Sequence, residues 1–210
     1  VHRKHQVALG HYGQSIDILR KLVAEFPANH EYRAFFGTVL YDSASLHRNL
    51  RNNEDCLRQA QESREVLRPL PDAGEVSARV RQAHVNNLIV IAARRLGRAA
   101  EVEPVSRETE DLWSGLCREF PDNEFYRHGW AFGPQVLAID LLEEEKWVEA
   151  EAAYLKATEI RYMNGVAPEL EKERQNQGDA FLALAKLCDR RGDAGTAQQY
   201  RVRALDLWES

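Results

Sequence analysis

Apolar residues recur along most of this chain at steps of three and four, and prolines or polar clusters interrupt them at regular distances. In the first segment Ile16, Leu19, Leu22, Val23 and Phe26 mark one stripe of a helix. Pro27 ends it, because proline lacks a backbone donor and disfavours helix in the residue before it. Asn29 suits an N-cap, and Tyr32, Phe35, Phe36, Val39, Leu40 and Leu46 carry the pattern into a second helix. No sustained run of β-branched residues reads as a strand.

The same grammar repeats. Pro27, Pro71, Pro121 and Pro168 stand at breaks between helices, 44, 50 and 47 residues apart. Between them lie softer breaks: Arg51–Asn52–Asn53, then Gly97, then Glu143–Glu144–Glu145–Lys146, then Gly192. The pattern predicts an all-α chain of about nine helices, near 1–26, 29–50, 54–68, 74–96, 98–119, 122–144, 146–163, 168–190 and 193–209. Nine is odd for a structure made of antiparallel pairs, so the first helix is expected to have its partner upstream of Val1. The only methionine is Met163, so a processed product or a piece of a longer protein is expected.

One stretch occurs nearly twice, as EFPANHEYR at 25–33 and EFPDNEFYR at 119–127. A single helical hairpin cannot bury its apolar face alone, whereas a row of similar hairpins buries a continuous core. The duplicated stretch then reads as a repeated corner. Phe26 and Phe120 close one helix, and Tyr32 and Tyr126 pack at the start of the next, as in a hydrophobic staple. The expected organisation is a single helical-repeat domain over 1–210 with corners near 27, 71, 121 and 168.

Two segments resemble tetratricopeptide repeats. Phe181, Leu184, Ala185, Cys188, Gly192, Ala197 and Ala204 have the spacing at which that family places its large and small packing residues. Leu137, Ala138, Leu141, Ala150, Tyr154 and Ala157 do the same, and Ile89, Val90, Ala93 and Gly97 form a weaker third match. Small residues at such points let helices approach closely. The period near 47 departs from the family's usual 34. A longer variant, found C-terminal to many bacterial serine/threonine kinases, is similar in its corners and in LGRAAE at 96–101 and HVNNL at 84–88. The resemblance implies a right-handed α-solenoid of antiparallel helix pairs, placed in the cytoplasm as a module of a larger signalling protein.

Composition changes this picture little. Hydrophobic residues make up 44% and charged residues 29%, which fits a folded chain rather than a disordered one. The longest apolar run is the six residues Leu88–Ala93, against about 20 needed to span a bilayer, so no membrane association is expected. Cys56, Cys117 and Cys188 are too far apart for a CxxC motif and read as small buried hydrophobes. Residues 1–100 hold 15 Lys/Arg against 10 Asp/Glu, a net of +5, and residues 101–210 hold 13 against 23, a net of −10. An acidic total with no basic run beyond Arg94–Arg95–x–x–Arg98 argues against nucleic acid.

Candidate contacts come from position. Six residues beyond the corner prolines stand Arg33, Arg127 and Arg174, with Arg79 the nearest equivalent after Pro71. If the first helix of each pair lines the concave surface, as the resemblance implies, these arginines form a ladder for carboxylates. Alternatively each pairs with a glutamate of a neighbouring helix and fixes the stack. Trp130, within the Gly/Pro-rich RHGWAFGP at 127–134, sits either in a groove or between repeats. His84 and Asn87 are polar positions on a helix whose other residues over 85–93, apart from Asn86, read VLIVIAA. Asn87 either binds an extended peptide or links neighbouring helices. His2 and His5 lack a third ligand in reach, and no phosphate loop, GxGxxG or GxSxG occurs, so neither metal nor cofactor nor catalysis is expected. A scaffold for a protein or peptide partner is the expected function. A spacer or self-association module, its basic half attracting another copy's acidic half, is the alternative.

Overall fold

The computed structural model describes residues 2–68, 70, 76–161 and 171–209. Within them the chain is all-α. Its helices are α1 (His2–Glu25), α2 (His30–Asn49), α3 (Asn53–Leu67), α4 (Val76–Arg95), α5 (Glu103–Glu119), α6 (Glu124–Glu143), α7 (Trp147–Arg161), α8 (Glu171–Arg191) and α9 (Ala194–Glu209). One 3₁₀ turn, Ala99–Val102, precedes α5. The sequence places the start of that helix at 98. Pro104 explains the delay: an α-helix running from 98 would need a backbone donor at that position, and proline has none. Inside the first turn of α5 the missing donor is harmless. The corners at 71 and 168 lie outside the described residues.

The chain forms two compact units, residues 1–116 and 117–210. In the first, α2 packs on α1, α3 and α4, and α3 on α4. Its core holds Ala44, Cys56, Leu57, Ala60, Val85, Leu88, Ile89, Ala92 and Ala93, flanked by a smaller cluster of Ile16, Phe36 and Leu40. In the second, α6 packs on α7, α7 on α8 and α8 on α9. Phe181, Leu184, Ala185, Cys188, Ala197, Tyr200 and Ala204 form its core. The small residues singled out by spacing, Ala138, Ala150, Ala157, Ala185, Ala197 and Ala204, are all buried. So are the three cysteines, all free, and desolvation pushes the Cys56 thiol up to about 11.

The softer breaks share one backbone device. Arg51, Gly97, Glu145 and Gly192 all take positive φ, at 60°, 72°, 59° and 81°. After each, a backbone N–H reaches back five residues along the helix end. Asn52 donates to the His47 carbonyl at 3.0 Å, Arg98 to Ala93 at 2.8 Å, Lys146 to Leu141 at 2.9 Å and Asp193 to Cys188 at 2.9 Å. The shorter companion bond closes each turn as well, from Arg51 to Arg48, Gly97 to Arg94, Glu145 to Leu142 and Gly192 to Asp189. These are Schellman caps, which satisfy carbonyls that a helix end would otherwise strand. Their positive-φ residues stand at 51, 97, 145 and 192, hence 46, 48 and 47 residues apart.

Two of the four are not glycine, and a side chain in the left-handed region carries a cost of roughly 1 kcal/mol. Gly97→Ala and Gly192→Ala are therefore expected to lower stability by about 1 kcal/mol each. Arg51→Gly and Glu145→Gly are expected to raise it by less, because glycine also loosens the unfolded chain. Urea midpoints of the four variants read both signs directly.

Candidate functional site

The two copies of the duplicated stretch close in the same way. Asn29 and Asn123 are N-caps in extended geometry, with φ and ψ of −82° and 102° and of −85° and 99°. The Asn29 side chain accepts from the Tyr32 N–H at 3.1 Å, and that of Asn123 from the Phe125 N–H at 3.0 Å. Phe26 meets Tyr32 edge-on with ring centroids 5.9 Å apart, and Phe120 meets Tyr126 at 5.6 Å. The arginine six residues past each proline completes the corner. Arg33 donates to the Pro27 carbonyl at 3.1 Å, and Arg127 donates to that of Pro121.

This contact explains why the arginines recur at that distance. Each proline lies in the turn two residues past a helix end, where its carbonyl has no helical partner, and the guanidinium of the next helix supplies a donor there. Among the described residues neither of these two arginines forms an ion pair with a glutamate of a neighbouring helix. Arg127 is only 7% exposed, so its charge is turned inward, while Arg33 is half-buried. The side chain of Arg174 lies outside the described residues.

The other candidates divide between interior and groove. Asn87 is 5% exposed on α4, placing its amide inside the first unit. The five consecutive residues 85–89 are all buried, so the helix is covered on every side there and a polar residue within it is turned to the interior. His84 lies half-buried between two rings, 6.2 Å from Tyr41 and 4.9 Å from Trp113, and desolvation lowers its pKa. Trp130 packs on the cluster of Ala131, Ala157 and Ile160 in the second unit, with its indole N–H buried and without a hydrogen-bond partner. Helix α6 continues through Pro134, four residues further on. Arg79 lines an open groove of ≈ 770 Å³ together with Glu103, Arg107, Glu108 and Asp111 of α5.

A second hollow of ≈ 300 Å³ lies in the same unit, and position along the chain does not reveal it. Arg64 of α3, Arg68 at its C-cap, Arg81 and Gln82 of α4 and Glu108 of α5 contribute its polar lining. Both carboxylate oxygens of Glu108 are engaged from opposite helices, by the Arg64 guanidinium and by the Gln82 amide. One sequence signal does exist. Arg64 and Arg68 are four apart, where like charges repel on an isolated helix, so a counter-charge from elsewhere is called for.

In the second unit Glu151 of α7 is the polar hub. It accepts from Arg191 at 2.8 Å and from the Tyr200 hydroxyl at 2.9 Å, tying α7 to α8 and α9. Burial, then the Glu151 carboxylate, pushes the Tyr200 phenol up to about 12. Next to it, Asp193 accepts from the Thr196 N–H at 3.0 Å and from Arg191 at 2.8 Å. The Thr196 backbone N–H first, then the Thr196 hydroxyl and Arg191, hold the Asp193 carboxyl down at about 2.

A carboxylate depressed in the folded state adds stability above its unfolded value, and that stability is lost as pH falls through the folded value. Wild-type protein is therefore expected to melt above Asp193→Asn at pH 5. The gap should close between about pH 4 and pH 2. Thermal melts across that range check this, and a gap independent of pH contradicts it.

No protein-family model matches the chain, and no curated protein matches it. Among solved structures, BtubC (BKLC) from P. vanneervenii aligns with 97% of this chain and 90% of its own, at a TM-score of 0.42 and 11% identity. A likeness at that score carries no argument about fold, activity or partner. Among the described residues no helix is long and apolar enough to cross a membrane.

Proposed function

We propose that this chain is a non-catalytic helical-repeat scaffold that binds a protein segment. Its helix pairs would run antiparallel in a right-handed, tetratricopeptide-like solenoid, as a cytoplasmic module of a larger bacterial signalling protein such as a serine/threonine kinase. The observation that supports this best is the Schellman turn repeated at 51, 97, 145 and 192. A turn repeated at near-constant distance joins the two helices of each pair in a similar way, and rows of like pairs present extended surfaces to partners. The duplicated corner at 26–33 and 120–127 adds a second repeated device. A peptide array probed with the full chain tests the proposal. Sequence-dependent spots whose peptides bind saturably in solution support it, and an array without any such peptide opposes it.

A second reading is self-association. Val202, Leu205 and Trp208 stand three residues apart on α9 and are 45%, 48% and 43% exposed, and the chain's two halves differ in charge sign. Sedimentation velocity at low and high salt separates the readings. Salt-sensitive dimers favour self-association, and a monomer under both conditions removes it.

A further inference from the structure

We propose that the second copy of the duplicated corner, through Phe120, Asp122, Glu124 and Phe125, docks a lysine or arginine side chain of the protein segment that the chain binds. This rests on the scaffold reading and adds to it the chemistry of the partner.

The two corners are the same device, so one serves as a control for the other. Both close with an asparagine cap in the same extended geometry, a phenylalanine edge-on to a tyrosine, and an arginine on the proline carbonyl. Over the nine duplicated residues they differ at three places. Ala28, His30 and Glu31 in the first stand where Asp122, Glu124 and Phe125 stand in the second. A corner that closes with the first set needs none of the second set in order to close. Folding of the corner thus leaves Asp122, Glu124 and Phe125 unexplained, and a cationic partner explains all three.

The second set adds a third ring. Phe125 meets Tyr126 at 6.0 Å, at a helix start that Asn123 pins through the Phe125 N–H. Tyr126 thereby joins three rings in one cluster, whose phenylalanines Phe120 and Phe125 are 39% and 56% exposed. Aromatic faces carry the negative part of the ring quadrupole and attract ammonium and guanidinium groups. Asp122 and Glu124 lie between the two phenylalanines in the chain, and among the described residues neither carboxylate takes part in an ion pair. The neighbouring cations along the chain are Arg118, exposed in the last turn of α5, and Arg127, whose guanidinium is turned inward onto Pro121. Ring faces and carboxylates together repel an anionic segment and favour a cationic one. The net charge of −10 over residues 101–210 draws such a segment in.

A random-peptide array probed with the full chain, followed by calorimetric titration of the strongest-binding peptide, tests this. Binding peptides should be enriched in lysine and arginine, and glutamine in place of the peptide's basic residue should weaken binding about tenfold. Phe125→Glu brings in the first corner's own residue, so the corner still closes. It also adds a negative charge, so plain charge attraction would tighten binding, whereas loss of the ring should weaken it about fivefold. Asp122→Ala/Glu124→His, again the first corner's residues, should weaken binding and reduce its salt dependence. Melting temperatures near wild type are expected for both variants. Binding peptides without basic residues, or affinity that Phe125→Glu leaves unchanged or raises, overturn this inference and leave the scaffold reading standing. An array without any saturable peptide overturns both.

Discussion

Trp113→Ala is expected to lower the stability of the first unit by about 4 kcal/mol, among the largest single losses available to this chain. Trp113 is 1% exposed and, among the described residues, the largest fully buried side chain. Its ring meets His84 of α4 edge-on at 4.9 Å, and His84 in turn faces Tyr41 of α2 at 6.2 Å. Truncation therefore removes the α5 end of a row of rings that links three helices, and leaves a cavity too well supported to collapse. Trp113→Phe should be far milder. The indole N–H is buried without a hydrogen-bond partner, so phenylalanine loses volume but also removes an unsatisfied donor. Urea denaturation followed by circular dichroism should show a large midpoint shift for alanine and a small one for phenylalanine. Similar shifts for both would show that contact area at 113 is not what holds α5.

Gly37→Val is the second large effect, at about 3 kcal/mol, and its cause is crowding rather than a void. Gly37 lies at a contact of α2 with α3. A Cβ placed there would come within 2.4 Å of the Cγ of Leu67, and the Ser63 hydroxyl donates to the Gly37 carbonyl at 2.7 Å across the same contact. A glycine inside a helix normally costs about 1 kcal/mol relative to alanine, so its presence here requires a packing reason. Valine forces the helices apart and breaks the Ser63 bond together with the Leu67 contact. Leu67→Ala in the Gly37→Val background should recover part of the loss, because the two side chains then share the space. Strictly additive losses would mean that the crossing is looser than these distances show.

Much of the fold was legible because its punctuation is local. Proline at 27 and 121, asparagine at the caps and glycine at 97 and 192 each act on their own few residues, so their meaning survives without knowledge of what packs nearby. Pro104 is local in the same way, and it moves the start of that helix from the expected 98 to Glu103. Arg51 and Glu145 were harder. They take the same left-handed conformation as the glycines, and nothing in their chemistry announces it.

The candidate contacts were less legible, because facing in or out is a tertiary property. Spacing correctly set Arg33 and Arg127 in equivalent places, yet only the folded corner shows both guanidinium groups on a proline carbonyl. Asn87 was singled out for polarity on an apolar helix, and burial on every side turns it inward. The arginine-lined hollow went unseen because Arg64, Arg81 and Glu108 are spread across 44 positions and three helices. No period along the chain brings them together.

The claim that this chain is a binding scaffold is tested most directly by calorimetric titration of an array-selected peptide into the full chain, beside a scrambled peptide of the same composition. The account predicts a saturable, one-to-one isotherm for the selected sequence and none for the scramble, with a negative heat-capacity change from apolar burial. Equal heats from both peptides, or no saturation by either, would contradict it.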